Sequence, residues 1–137
     1  MNAELHRTFD QLCQAVERLR EALAEPPSNA LAVDGTIQRF EFTIELFWKT
    51  LKRLLAFEGI ETRTPRETLQ RAYQAGWLMD ETAWLEMLRD RNETSHAYDE
   101  ALARRICERV RRNFPELERA RAALRQRLPP EDPTAPS

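Results

Sequence analysis

The sequence predicts an all-α protein built as an antiparallel bundle of four or five helices. Apolar residues recur at alternating spacings of three and four over long stretches, which is the pattern of amphipathic helices. No segment alternates between apolar and polar residues with period two, so a sheet is not expected. A chain of 137 residues, 42% hydrophobic and with only three glycines, is long enough to bury one core. We therefore expect a single helical-bundle domain over residues 1–128.

Two long helices are predicted in the first half of the chain. The first has a regular apolar seam and ends before the pair Pro26-Pro27. Its apolar positions are Leu5, Phe9, Leu12, Val16, Leu19 and Leu23. A polar loop then leads to Asp34 and Gly35, after which the second helix repeats this seam until Gly59 ends it. Its apolar positions are Ile37, Phe40, Ile44, Phe47, Leu51 and Leu54.

Two shorter helices are expected next. Residues Thr64 to Glu67 read Thr-Pro-Arg-Glu, where the threonine is an N-cap, the proline takes the first helical position and the glutamate completes a capping box. This helix should end near Gly76. Asp80 is a suitable cap for a fourth helix. The apolar stripe of that helix is assigned to Trp84, Leu85 and Leu88.

A last long helix is predicted from about Asp99 to Leu124. Its apolar positions are Leu102, Ile106, Val110, Phe114, Leu117 and Leu124. Pro115 lies inside this helix and should kink it or split it in two, because proline lacks the amide donor and its ring crowds the preceding turn. Residues 129–137 contain four prolines and are expected to form a disordered tail.

Charge is unevenly distributed along the chain. Residues 1–100 carry 12 basic and 18 acidic side chains, a net charge of −6, whereas residues 101–128 carry nine arginines and three glutamates, a net charge of +6. The basic segment either forms a solvated helix face paired with acidic neighbours, or offers a surface to phosphate or to an acidic partner. Both interpretations are compatible with the composition.

The composition also limits the compartment and the kinds of site. No run of 18 apolar residues occurs, and the first residues lack the apolar stretch of a secretory signal, so we expect a cytoplasmic protein without a membrane segment. Cys13 and Cys107 lack metal-ligand spacing and are expected to be reduced, packed thiols. No glycine-rich loop is present to hold nucleotide phosphates, and neither a metal ion nor a cofactor is expected.

The stretch RNETSHAY, residues 91–98, interrupts the helical pattern that leads into it. On a helical wheel of about 100° per residue, Arg91 lies on the apolar stripe that should be buried, and Tyr98 lies nearly in line with it. His96 would point about 140° away from Arg91 on an unbroken helix. The weak helix formers in this stretch are Asn92, Thr94 and Ser95. Asp99 is a good cap for a new helix. We therefore predict a helix end and a turn, which would swing His96 towards Arg91.

An arginine on an apolar stripe requires a partner, because burial of an unpaired guanidinium is costly. One interpretation is structural: Arg91 pairs with a neighbouring carboxylate and His96 caps the helix. The candidate carboxylates are Asp90, Glu93 and Glu41. The other is functional: Arg91 binds a phosphate bidentately and His96 acts as general acid or base. Such a pair suits RNA cleavage through the 2′-hydroxyl, and two copies across a twofold axis would make a better site than one.

RNETSHAY resembles the RxxxxHxY motif of HEPN-domain proteins. Three surrounding segments, RFEFTIELFWKTLKRLLAFEGI, TPRETLQRAYQAGWLMD and WLEMLRDRNETSHAYDEALA, resemble in order the HEPN subfamily known as nucleotidyltransferase substrate-binding proteins. The resemblance covers roughly residues 5 to 125. The spacing of arginine and histidine alone is a weak signal, whereas its combination with the preceding aromatic helix, which contains Glu-Leu-Phe-Trp-Lys, is a strong one.

This resemblance implies a helical bundle that forms a homodimer and is encoded beside a minimal (MNT-type) nucleotidyltransferase. Many such pairs are toxin–antitoxin systems, in which the HEPN protein is a metal-independent ribonuclease and the transferase silences it by binding or by adenylylating the motif tyrosine. By matching position, Arg91 would bind phosphate, His96 would be the acid–base group and Tyr98 the modifiable residue. AMP on Tyr98 would place a bulky anion beside Arg91 and block RNA. The alternative is a non-catalytic subunit that presents a substrate, or itself, to the transferase.

Several further residues have two interpretations. Asn92 belongs to the family pattern and either orients the turn or caps the helix. Glu41, Glu45 and Lys49 are spaced by four residues on one face of the second helix. They either form helical ion pairs or contribute to the cleft or to a partner surface. The tryptophans, expected to anchor the core or a dimer, are Trp48, Trp77 and Trp84.

Overall fold

The computed structural model describes residues 2–131, which form five α-helices and one short 3₁₀ helix. The elements are α1 (Asn2–Leu23), α2 (Ala30–Phe57), α3 (Pro65–Gln74), α4 (Glu81–Glu93), the 3₁₀ helix (Thr94–His96) and α5 (Glu100–Arg127). No strand occurs in this part of the chain, so the predicted all-α bundle is confirmed. Most of the predicted tail, residues 132–137, lies outside the described residues.

Capping side chains explain where the helices begin. Asn29 Oδ1 accepts hydrogen bonds from the amides of Leu31 and Ala32 at 2.9 and 3.4 Å, so α2 begins at Ala30. The prediction that α2 begins after Gly35 was wrong, because Asn29 supplies an earlier cap. The predicted caps of α3, α4 and α5 are confirmed, each accepting one backbone amide, and they are Thr64, Asp80 and Asp99.

Helix α5 continues through Pro115, so the predicted alternative of a split helix was wrong. Pro115 itself is exposed, whereas Phe114 and Leu117 on either side of it are buried. Burial of the apolar face on both sides of the proline stabilises the helix despite the missing amide donor. Tertiary packing therefore outweighs the local preference of proline at this position.

All five helices contribute to one apolar core. The predicted seam of α1 is buried along its whole length, and α1 packs most extensively on α2. Trp77 and Trp84 are buried in the core, and the Trp84 ring packs edge-on against Phe47, with centroids 5.0 Å apart. Trp48 is only half-buried. Within residues 2–131, no helix combines the length and the apolar character needed to cross a membrane.

The basic segment of α5 is largely engaged with the rest of the bundle. Arg109 and Arg121 form ion pairs with Asp90 and Glu17, both at 2.8 Å. The arginines of this segment that make a hydrogen bond are Arg104, Arg109, Arg111, Arg112, Arg119, Arg121 and Arg125. These contacts favour the first interpretation of the segment, a helix face paired with acidic neighbours and backbone carbonyls.

The two cysteines are free thiols and both are half-buried. Burial raises the pKa of the Cys107 thiol to about 11, and burial also raises the pKa of Cys13. Both shifts favour the neutral thiol over the nucleophilic thiolate. These groups therefore behave as the packed thiols that the sequence predicted.

Candidate functional site

The predicted interruption after α4 is confirmed. Helix α4 ends at Glu93, and one turn of 3₁₀ helix precedes the cap of α5. The Thr94 hydroxyl donates to the Arg91 carbonyl at 2.7 Å, and the Ser95 hydroxyl donates to the Asn92 carbonyl at 3.5 Å. These hydroxyls take backbone acceptors that amides four residues further on would otherwise use, which favours a helix end.

The buried face of α4 differs from the predicted stripe. The buried residues of this helix are Trp84, Met87 and Asp90. Trp84 of the predicted stripe is buried and Leu88 is half-buried against the core, whereas Leu85 is half-buried and is not among the residues packed on it. Because the buried face of α4 differs from the predicted one, Arg91 lies at the rim of the bundle, where 39% of its side chain is exposed. Arg91 is therefore accessible to solvent rather than buried in the core.

Arg91 pairs with Glu45 of α2. The Arg91 Nη2 donates to Glu45 Oε2 at 2.6 Å, and 38% of the glutamate side chain is exposed. The three predicted partners of Arg91 (Asp90, Glu93 and Glu41) were wrong: the guanidinium leaves its own helix for α2, and there it pairs with Glu45, one turn after Glu41. The spacing of Glu45 on the outer face of α2 was the one sequence signal for this residue.

Asp90 instead pairs with Arg109 of α5. The Arg109 Nε lies 2.9 and 3.1 Å from the two carboxylate oxygens of Asp90, and its Nη2 lies 2.8 Å from Oδ1. The hydrogen bond to Asp90 raises the pKa of Arg109. This buried pair was missed, although Asp90 follows Trp84 and Met87 at spacings of three. That spacing places a carboxylate on a buried face and indicates a cationic partner.

His96 and Tyr98 both project from the turn into solvent. Tyr98 is 87% exposed, and the two rings lie edge to face with centroids 6.3 Å apart. Within residues 2–131, the side chains of Arg91 and His96 make no hydrogen bond with each other. The turn thus places the His96 ring beside Tyr98, while Arg91 is hydrogen-bonded to Glu45.

Two cavities border the Arg91–Glu45 pair, and Glu45 lines both. A small cavity of about 80 Å³ is also lined by Trp48, Arg91 and Asn92, and the Trp48 Nε1 is buried without an acceptor in the described part of the chain. A larger groove of about 490 Å³ between α1 and α2 is also lined by Lys49.

The sequence also suggested three supporting residues, Asn92, Glu41 and Lys49. Asn92 is exposed and lines the small cavity. Glu41 is half-buried and Lys49 is exposed, and neither forms an ion pair with another described residue. The interpretation of Glu41, Glu45 and Lys49 as helical ion pairs is therefore not supported, because Glu45 pairs with another helix.

The sequence matches the family described as "Nucleotidyltransferase substrate binding protein like" over residues 5–126. The chain belongs to this family. It is 36% identical over 76 residues to the probable ribonuclease HepT of Haemophilus influenzae. That alignment covers 52% of each protein, so the chain spans about half the length of this curated relative. The HEPN-type family suggested by the motif is confirmed.

Two solved structures are similar to the bundle of this chain. A protein from Thermus thermophilus is 34% identical, with a TM-score of 0.72 over 87% of this chain and 99% of that one. HI0074 from Haemophilus influenzae is 28% identical, with a TM-score of 0.68 over 92% of this chain and 100% of that one. The HI0074 structure is described as revealing the fold of a substrate binding domain of a nucleotidyltransferase.

Proposed function

We propose that the protein is a HEPN-type, metal-independent endoribonuclease that is paired with, and neutralised by, a minimal nucleotidyltransferase in a toxin–antitoxin system. The arrangement of residues 91–98 carries the proposal: a half-exposed guanidinium at the end of α4 is followed, one turn later, by an exposed imidazole and an exposed phenol. The similarity to a probable ribonuclease supports it. We assign the activity to one cytoplasmic domain, residues 1–128, followed by a tail at 129–137.

The site requires two copies of the chain. Arg91 is hydrogen-bonded to Glu45, the His96 ring lies beside Tyr98, and no hydrogen bond joins Arg91 to His96 within residues 2–131. A homodimer that brings the ends of two α4 helices together across a twofold axis would supply two guanidinium and two imidazole groups to one phosphodiester. The homodimer is therefore part of the proposal.

The chemistry of such a cleft follows from these groups. His96 of one copy accepts the proton of the 2′-hydroxyl as O2′ bonds to phosphorus. The bond from phosphorus to O5′ breaks, and the protonated histidine of the second copy donates its proton to O5′. Arg91 offers paired N–H donors to the phosphoryl oxygens on which negative charge accumulates. The products are a 2′,3′-cyclic phosphate and a 5′-hydroxyl.

Tyr98 offers a route to neutralisation. Among the described residues, its side chain is the most exposed of the large apolar and aromatic ones, which makes the phenol accessible to a second enzyme. The phenol oxygen would attack the α-phosphorus of ATP and release pyrophosphate, which leaves AMP on the tyrosine. The added phosphodiester carries a negative charge next to His96 and would repel the RNA backbone.

Cleavage of labelled single-stranded RNA by the purified protein, in buffer containing EDTA, tests the ribonuclease. We expect His96→Ala to lower the rate by about 100-fold or more, because general acid–base catalysis contributes that much. His6→Ala is the matched control, since His6 is the other histidine of the chain and lies in α1. Cleavage by His96→Ala at the wild-type rate would contradict the proposal.

Mass spectrometry after incubation with the cognate transferase and ATP tests the modification. The wild-type chain should gain the mass of AMP, and Tyr98→Phe should not. Tyr73→Phe is the control, because Tyr73 is the other tyrosine of the chain and is also exposed. AMP on the Tyr98→Phe variant would place the modification elsewhere.

A second candidate is a non-catalytic subunit that presents a substrate, or itself, to the transferase. The family description favours it, and so does the Glu45 carboxylate that occupies Arg91. This candidate predicts a stable complex with the transferase together with no RNA cleavage by the isolated protein. The EDTA assay therefore distinguishes the two candidates.

A further inference from the structure

The groove between α1 and α2 combines an exposed aromatic ring with polar amides. Phe42 lines it and is 57% exposed, although a phenyl ring gains nothing from contact with water. Three glutamine side chains also line it, and none makes a hydrogen bond within residues 2–131: Gln11, Gln14 and Gln38. A carboxamide both donates and accepts hydrogen bonds, which matches the edge of a nucleobase.

The groove also carries an excess of positive charge. Arg18, Arg39 and Lys49 line it, against the single carboxylate of Glu45. Arg39 donates to the Arg18 carbonyl at 2.7 Å and lies 3.7 Å from Glu21, whereas the side chains of Arg18 and Lys49 have no partner in the described part of the chain. Two cationic side chains without an ion-pair partner among the described residues can bind a phosphate in this groove.

Glu45 connects this groove to the proposed catalytic residues. Its side chain lines the groove and at the same time accepts the hydrogen bond from Arg91. A chain of nucleotides that reaches Arg91 with one phosphate can therefore place a neighbouring nucleotide in the groove. The negative charge of Glu45 is offset by Arg91, so it opposes an incoming phosphate only weakly.

We propose that this groove binds one nucleotide of single-stranded RNA next to the phosphodiester that is cleaved. The base stacks on Phe42, the glutamine amides contact the base edge, and both Lys49 and Arg18 contact the phosphate. The proposal rests on the ribonuclease function proposed above. A second copy of the chain fits this groove less well, because a twofold interface would bring two copies of the same cationic patch together, each with three cations and one carboxylate.

Binding of a fluorescent ten-nucleotide single-stranded RNA, measured by anisotropy in the His96→Ala background, tests the proposal while the RNA stays intact. Phe42→Ala should weaken binding by about tenfold or more, and Phe42→Trp should retain it, because any aromatic ring supplies the stacking surface. Phe57→Ala is the matched control, since Phe57 is exposed on the same helix and lies outside the groove. It should bind as the background variant does.

The lysines supply a second matched pair. Lys49→Gln should weaken binding and reduce the salt dependence of the affinity by about one phosphate contact. Lys52→Gln should change neither, because the Lys52 Nζ lies over the Trp48 ring at 5.4 Å and outside the groove. Phe42 and Lys49 are both exposed, so the substitutions should leave the fold intact, which thermal unfolding followed by circular dichroism would verify.

Three outcomes would overturn the proposal. If Phe42→Ala and Lys49→Gln bind like their controls while the wild-type chain still cleaves RNA, the groove is not a subsite and the ribonuclease function stands. If light scattering shows that Phe42→Ala converts a dimer to a monomer, the groove is an interface between copies. If the background variant binds no RNA and the wild-type chain cleaves none, the proposed function fails together with the groove.

Discussion

Consecutive residues of α4 form two arginine–carboxylate pairs of different character. Asp90 is 1% exposed and receives three close contacts from Arg109, whose side chain is 25% exposed. The next residue, Arg91, meets Glu45 through one contact at 2.6 Å, and both side chains are more than a third exposed. A step of about 100° around the helix separates a pair under the bundle surface from a pair on its rim.

This difference separates a structural pair from a binding residue. A buried charge that loses its partner is strongly destabilising, so Asp90 and Arg109 depend on each other. An exposed pair contributes at most about 1 kcal/mol, so a phosphate can replace Glu45 at Arg91 at small cost. The hydrogen bond to Asp90 raises the pKa of Arg109, and this shift therefore reflects a stabilising ion pair and does not indicate a binding site.

Arg109→Ala should give the largest effect, a loss of about 3–5 kcal/mol in the free energy of unfolding, because it leaves the Asp90 carboxylate buried and unpaired. Urea unfolding followed by circular dichroism measures it. Arg109→Lys keeps the positive charge without the planar fork and should lose less. A loss below about 1 kcal/mol for Arg109→Ala would show that Asp90 does not depend on this partner.

Arg91→Ala should show the opposite pattern. We expect a change of no more than about 1 kcal/mol in unfolding free energy, since the pair is half-exposed. RNA cleavage should nevertheless fall by about 100-fold or more, because the variant loses donors to the phosphoryl oxygens. Both quantities should be measured on one preparation. Destabilisation as large as that of Arg109→Ala would remove the distinction between the two pairs.

Glu45→Gln should free Arg91 for phosphate. Loss of a pair worth up to about 1 kcal/mol should raise the affinity for single-stranded RNA by up to about fivefold in the His96→Ala background. Fluorescence anisotropy measures the change. Glu41→Gln is the control, because Glu41 lies one turn away and has no ion-pair partner in the described chain. Weaker binding by Glu45→Gln would instead indicate that the carboxylate orients Arg91 productively.

Glu86 of α4 forms an ion pair with Arg112, and 22% of the glutamate side chain is exposed. Its substitution should have the smallest effect of the four. The Asn113 amide donates to Glu86 at 2.9 Å and is the main cause of its lowered pKa, with Arg112 adding to the shift. A carboxylate whose pKa is lower in the folded chain contributes stability above its ordinary pKa of 4.5. That contribution is lost as the pH falls through the lower folded value.

Glu86→Gln should therefore remove about 1 kcal/mol of stability at pH 7 and flatten the acid side of the stability curve. Thermal unfolding between pH 3 and pH 7, roughly the range that spans the shifted pKa, measures the slope. Glu108→Gln is the control, because Glu108 is an exposed glutamate on α5. An unchanged acid slope in Glu86→Gln would mean that its contacts with Asn113 and Arg112 do not persist in solution.

Most of the fold was predictable because its signals are local. The side chains of Thr64, Asp80 and Asp99 each cap the amide three residues ahead, and the structure confirms each cap. The start of α2 was mispredicted, since Asp34 and Gly35 were taken as its boundary whereas Asn29 caps the helix five residues earlier. The continuous helix at Pro115 depends on burial on both sides of the proline.

The sequence predicted the helix end at the candidate site, but it did not predict which side chains contact one another there. The sequence placed a helix end at RNETSHAY, and the structure has one there. The partner of Arg91, however, lies 46 residues away in the chain, and helical spacing carries no information about which side chains of separate helices meet. The buried face of α4 was also predicted only in part, because Trp84 lies on it whereas Met87 and Asp90, and not Leu85, complete it.

The sequence by itself determined a bundle of four or five helices with a break before the last long helix, and through its motif it determined the family, because periodicity, caps and short motifs act over a few residues. The tertiary structure alone decided that Asp90 is buried against Arg109 while Arg91 rests on Glu45 at the rim. The reason is geometric: adjacent side chains on a helix diverge by about 100°, and the packing of α2 and α5 determines which direction is buried.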